Sequence, residues 1–161
     1  DNPVRWQLRH DNPQWFRRHT GIAHPRLPAD TSWTAYGDQT LLDYPWLLPV
    51  ALSRRLEGAA EAAAVAEVVE QVRQGAVPIG GFISPAERKV AEALVKLPRA
   101  RMIYMHPWGM AGYKPGGHVA TECLATGRTL VLSGFPDSVP RVATRENCLR
   151  NNAWAQAIAA G

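Results

Sequence analysis

The chain has 161 residues, 46% of them apolar, with 13 glycines, 13 prolines and a formal net charge of +4. One globular domain of this length buries roughly 70% of its unfolded surface, so neither a disulfide framework nor a structural metal is required to hold it together. No apolar run approaches the ~18 residues of a membrane span; the longest, WLLPVAL at 46–52, is broken by Pro49.

The first 35 residues read as an irregular basic and aromatic arm ahead of a domain spanning 36–161. Arg5, Arg9, Arg17, Arg18 and Arg26 alternate with Trp6, Trp15 and Phe16. Guanidinium groups grip phosphate and rings stack on bases, so this mixture fits single-stranded nucleic acid. An amphipathic arm that lays its rings on the body and leaves its arginines in water fits equally well. DNPVRWQLRH is followed by DNPQWFRRHT, and each copy offers an Asp-Asn cap and Pro at the first helical position. Two short helical turns are expected there.

WLLPVAL is the first strand candidate. GAAEAAAVAEVVEQVRQG is the strongest helix, with Val65, Val68, Val69 and Val72 as an apolar stripe, Glu61, Glu67 and Glu70 polar, and Gly75 closing it. AVPIGG is a second strand; residues 84–97 form a second helix with Val90, Leu94 and Leu97 inward. RMIYM is a third strand, and after the loop HPWGMAGYKPGG come a short helix near 119–126, the strand RTLVLSG and a last helix over about 142–160. Apolar strands with little alternation, separated by helices, predict a Rossmann-like doubly wound α/β fold. Its sheet is mainly parallel, of about four to five strands, with helices on both faces.

In such a sheet ligands bind beyond the carboxyl ends of the strands. LSRRLEG, GGFISP and LSGFPDS fall at those ends and offer hydroxyls, guanidinium groups, bare glycine backbone and aromatic faces. Ser84 is an N-cap, Pro85 fits the first helical turn, and Glu87 completes a capping box rather than acting as a catalytic acid. Gly80 and Gly81 either admit an anion beside the helix N-terminus or make a tight turn.

The order ALSRR, PIGGFISPAERKVAEAL and TLVLSGFPDSVPRVATRENCLRNNAWAQAIA resembles short, stand-alone members of the DNA-processing protein A (DprA/Smf) family, within the Rossmann-like SLOG group. The resemblance covers roughly residues 36–160. It implies nucleotide or single-stranded nucleic-acid phosphate binding, without cofactor or metal, in a positively charged pocket. The matching positions are Ser53, Arg54 and Arg55; Gly80, Gly81 and Phe82, with Ser84 capping the helix that follows; Ser133, Gly134 and Phe135; and Arg150 and Asn151. Asn152 stands where the family has a second basic residue. The family's further core strand after the last helix does not follow here, so an open sheet edge for a second copy or a partner chain is expected.

KPGGHVATEC is similar to the phosphate-binding signature of LOG nucleoside 5′-monophosphate phosphoribohydrolases, with Pro115, Gly116, Gly117 and Glu122 at matching spacing. Val119 and Ala120 replace the Gly and Thr of that signature. The alternatives to a non-catalytic binder are therefore a LOG-like hydrolase with Glu122 beside an oxocarbenium-like centre, or an assembly partner. Glu122 reads otherwise as a solvated helix carboxylate. His106, His118 and Cys123 lack metal-ligand spacing, and no G-x-S-x-G elbow is present. Cys123 and Cys148 form no C-x-x-C and read as reduced, packed thiols. With neither a signal peptide nor a membrane span, a cytoplasmic protein is expected.

Overall fold

A computed structural model describes residues 3–115, 122 and 124–161. Among the described residues six strands form one sheet: β1 (His19–Ile22), β2 (Trp33–Gly37), β3 (Leu47–Pro49), β4 (Val77–Gly80), β5 (Met102–Met105) and β6 (Thr129–Ser133), in the order β1-β2-β6-β5-β4-β3. β3 to β6 run parallel, and β1 and β2 add an antiparallel hairpin at the β6 edge. This is the expected mainly parallel Rossmann-like α/β sheet with helices on both faces.

Residues 1–35, expected to be irregular, contain regular structure. Helix α1 (Pro3–Asp11) and a 3-10 turn (Pro13–Phe16) follow the two Asp-Asn-Pro copies. Asn12 turns its amide back to the Leu8 carbonyl at 2.8 Å instead of capping the second turn. β1 then pairs His19 with Ala35 and Thr20 with Thr34. Trp15 covers the turn into β6, where a Cβ on Gly127 would lie 2.5 Å from its ring. The Arg9 guanidinium stacks over Phe16.

Pro49 is accommodated because β3 is the edge strand, where a missing N–H breaks no ladder. Helices α2 (Gly58–Arg73) and α3 (Pro85–Val95) cover one face of the sheet. Val68, Val69 and Val72 meet Val90 and Leu94 there, over Met102. Glu61, expected to be on the polar side, is buried in the first turn of α2 and paired with Lys89 of α3. Helix α4 (Arg145–Ala160) covers the other face, where Ala155 and Ile158 pack on Ile79, Ile103, Leu130 and Leu132. Half of the short helix expected near 119–126 lies outside the described residues; residues 122, 124 and 125 are helical. No helix among the described residues is long and apolar enough to cross a membrane.

Candidate nucleic-acid interface

The parallel strands aim their carboxyl ends at one rim, and Glu87 organises the first two turns of that rim. Ser84 caps α3 by accepting from the Glu87 amide at 3.2 Å. The buried Glu87 carboxylate accepts from Ile83 N–H at 3.0 Å and from Leu52 N–H at 2.8 Å. The capping box therefore reaches one residue further back than its sequence pattern implies, and across to the loop after β3. Two amides that would face an anion at this rim are taken by the chain's own carboxylate. Ser53 Oγ accepts from Arg55 N–H at 3.0 Å, and this turn leaves both Arg54 and Arg55 exposed.

The glycine pair is explained largely by packing. A Cβ at Gly80 would lie 2.7 Å from the Val50 carbonyl oxygen, so close approach to β3 demands glycine. At Gly81 a Cβ would meet Asn151 Nδ2 and Ile83 at 3.3 Å. Phe82 takes the left-handed conformation, φ 53°, and buries its ring against Tyr104. A non-glycine residue in that region stores strain at the strand end.

After β6, the buried Ser133 hydroxyl donates to the Trp108 carbonyl at 2.6 Å and accepts from Phe135 N–H at 3.1 Å, so it holds the turn. Gly134 lets Trp154 and Trp33 close over the backbone, and Phe135 packs its ring on Trp154. Arg18, from the arm, donates to both carboxylate oxygens of Asp137 at 2.6 and 2.5 Å and to the Met110 carbonyl at 3.2 Å. The arm is thereby tied to the rim.

The first two turns of α4 divide this rim into two clefts. A cleft of about 140 Å³ is lined by Arg54, Gly81, Ser84, Glu87, Asn151 and Asn152, with Cys148 beside them. Burial pushes the Cys148 thiol up, and the Arg54 charge opposes that only in part. Asn151 is buried; its Nδ2 donates to the Met105 carbonyl at 2.8 Å, which leaves Oδ1 without a partner among the described residues. On the other side, a cleft of about 530 Å³ is lined by Gly134, Phe135, Arg150 and Trp154 together with arm residues. Ser53, Arg55, Gly80, Phe82 and Ser133 line neither of these clefts. Arg18, one of the arm arginines, and Asp137 of the LSGFPDS turn also line the larger one, whereas Thr20 and Ser32, which line it too, carry no signal in the sequence.

The loop after β5 supplies packing rather than acid–base chemistry. His106 sits among the rings of Tyr104, Trp108 and Tyr113. Burial, helped by the Arg141 charge, lowers its pKa to about 4. Burial also raises the Tyr113 hydroxyl to about 12. No group of three His, Cys, Asp or Glu among the described residues is placed to hold a metal. His118 and Cys123, and Gly116 and Gly117 of the LOG-like segment, lie outside the described residues. Glu122 is helical and half-buried and lines neither cleft.

A parallel sheet covered on both faces, with clefts at its strand carboxyl ends, defines a Rossmann-like α/β domain. The fold is DprA-like. It superposes on DNA processing protein A from Helicobacter pylori, described for its single-stranded DNA binding mode, with a TM-score of 0.66, 20% identity and 89% of this chain covered. DNA processing protein A (DprA) from Streptococcus pneumoniae gives a TM-score of 0.63, 16% identity and 92% coverage. The chain spans 66% and 54% of those two chains. No family model and no curated protein sequence matches it.

Proposed function

We propose that the protein binds single-stranded nucleic acid, non-catalytically, through the rim divided by α4. The observation that carries the reading is the placement of Arg150, Asn151 and Asn152 on consecutive positions of α4, so that Arg150 lines one cleft and the two asparagines the other, with Arg54 across from them. Each cleft thus has an exposed guanidinium group, Arg54 in the smaller and Arg150 in the larger, able to take phosphate oxygens through charge-assisted hydrogen bonds. Asn151 adds an amide already oriented by the Met105 carbonyl. The fold likeness to a single-stranded DNA-binding protein supports the same reading. Two features argue for binding without bond cleavage: Glu122 lines neither cleft, and the carboxylate of the smaller cleft, Glu87, is spent on two backbone amides.

Titration of a labelled oligothymidylate at low salt, read by fluorescence anisotropy, tests the proposal. Arg54→Ala is expected to weaken binding roughly five- to tenfold by removing one phosphate contact. Absence of binding by the unmodified protein overturns the reading.

A further inference from the structure

We infer that the larger cleft is a nucleoside subsite, built in part by the N-terminal arm, and that the ligand is a strand long enough to reach both clefts rather than a free mononucleotide. The inference rests on the nucleic-acid reading above and specifies it. At about 530 Å³ the larger cleft is within the ordinary range of ligand pockets, roughly 300–1,000 Å³, whereas the smaller one, about 140 Å³, falls below it.

The charges of the larger cleft say which part of a nucleotide it takes. Arg18 and Arg150 face Asp30 and Asp137, so the lining is balanced, and Arg18 is already held by both oxygens of Asp137. A phosphate trap would show an excess of free cations. A balanced, hydrogen-bonding cleft instead accommodates the uncharged base and sugar, whose donors and acceptors need partners. Thr20, Ser32 and Thr34 offer hydroxyls there that bond to no other described residue.

Helix geometry supplies the rest. Arg150 and Trp154 are four residues apart, hence on one face of α4, and both line this cleft. Arg150 thus stands beside the apolar wall that Trp154 and Phe135 form together, an arrangement that takes a phosphate and the nucleoside attached to it. Asn151 and Asn152 turn away from that face into the smaller cleft. A phosphate on Arg150 therefore lies between a nucleoside in the larger cleft and the next phosphate beside Arg54 in the smaller one, and a strand crossing α4 spans both.

The test compares three probes, thymidine 5′-monophosphate, a thymidylate dinucleotide and a longer oligothymidylate, on the unmodified protein and on the double substitution Thr20→Leu, Ser32→Leu. Leucine removes the hydroxyls and fills the arm side of the cleft without adding charge or a stacking ring. Thr20 is exposed on the edge strand β1, so Thr20→Leu alone serves if the double variant does not fold. The expected result is an oligothymidylate affinity reduced about tenfold, a smaller loss for the dinucleotide, and mononucleotide affinity unchanged. Equal oligothymidylate affinity in both proteins overturns the inference and leaves the nucleic-acid reading standing. A parallel loss of mononucleotide affinity also overturns it, because the larger cleft would then be the mononucleotide site itself. If the unmodified protein binds none of the probes at low salt, both readings fall together.

Discussion

Replacing Glu87 with alanine removes a side chain that joins the turns after β3 and β4. Its carboxylate accepts from Leu52 N–H at 2.8 Å and Ile83 N–H at 3.0 Å while sitting in the first turn of α3, and the residue is 9% exposed. Each amide stranded without a partner costs about 1–3 kcal/mol, and the lost carboxylate at a helix N-terminus adds about 0.5 kcal/mol. Water entering from the small cleft recovers part of this, so the expected loss is about 2–4 kcal/mol. Glu87→Gln keeps one acceptor oxygen and is expected to lose about half as much. Urea unfolding measures both, with the midpoint falling in the order Glu87, Gln, Ala and the slope unchanged. Because Leu52 precedes Ser53 and Arg54, oligothymidylate binding is expected to weaken in the same order. A Glu87→Ala protein that unfolds at the original midpoint would refute the reasoning.

Three further outcomes follow from the same geometry. Gly80→Ala places a Cβ 2.7 Å from the Val50 carbonyl oxygen, which forces β3 and β4 apart, and is expected to cost about 1–3 kcal/mol by thermal or urea unfolding. His106 has its pKa lowered from 6.5 to about 4, so below pH 6.5 the unfolded chain takes a proton that the folded chain refuses. Stability then falls as pH drops from 6.5 to 4, by at most roughly 3 kcal/mol, and His106→Phe flattens that limb of the stability curve. Incubation with adenosine 5′-monophosphate is expected to release no adenine from the unmodified protein; release that Glu122→Gln abolishes would replace the binding account with a hydrolytic one.

The parallel half of the sheet was readable because buried parallel strands leave short apolar runs between amphipathic helices. AVPIGG, RMIYM and RTLVLSG all became strands, and even Pro49 found the edge position that tolerates it. β1 and β2 escaped notice for a physical reason. HTGI and WTAYG carry threonines and glycines that dilute any period, and their hairpin joins the sheet only through the pairing of β2 with β6, almost a hundred residues further along. At the rim, residue type alone does not separate a structural task from a binding one. A glycine required by a neighbouring carbonyl, as at Gly80, has the same letter as one left open for a phosphate. Ser133 reads as a ligand hydroxyl until its bonds to Trp108 and Phe135 are seen. The S-x-x-E spacing encodes the capping role of Glu87, but its reach to Leu52 spans 35 positions and no local pattern encodes it.

The most direct test of the account is the salt dependence of oligothymidylate affinity for the unmodified protein and for Arg150→Ala, with thermal unfolding confirming that both are folded. Each phosphate contact on a single strand contributes a slope of about −0.7 to log K against log salt. The account expects a clearly negative slope for the unmodified protein and one shallower by about 0.7 for Arg150→Ala. Identical slopes in the two proteins, or no binding at any salt concentration, would contradict it.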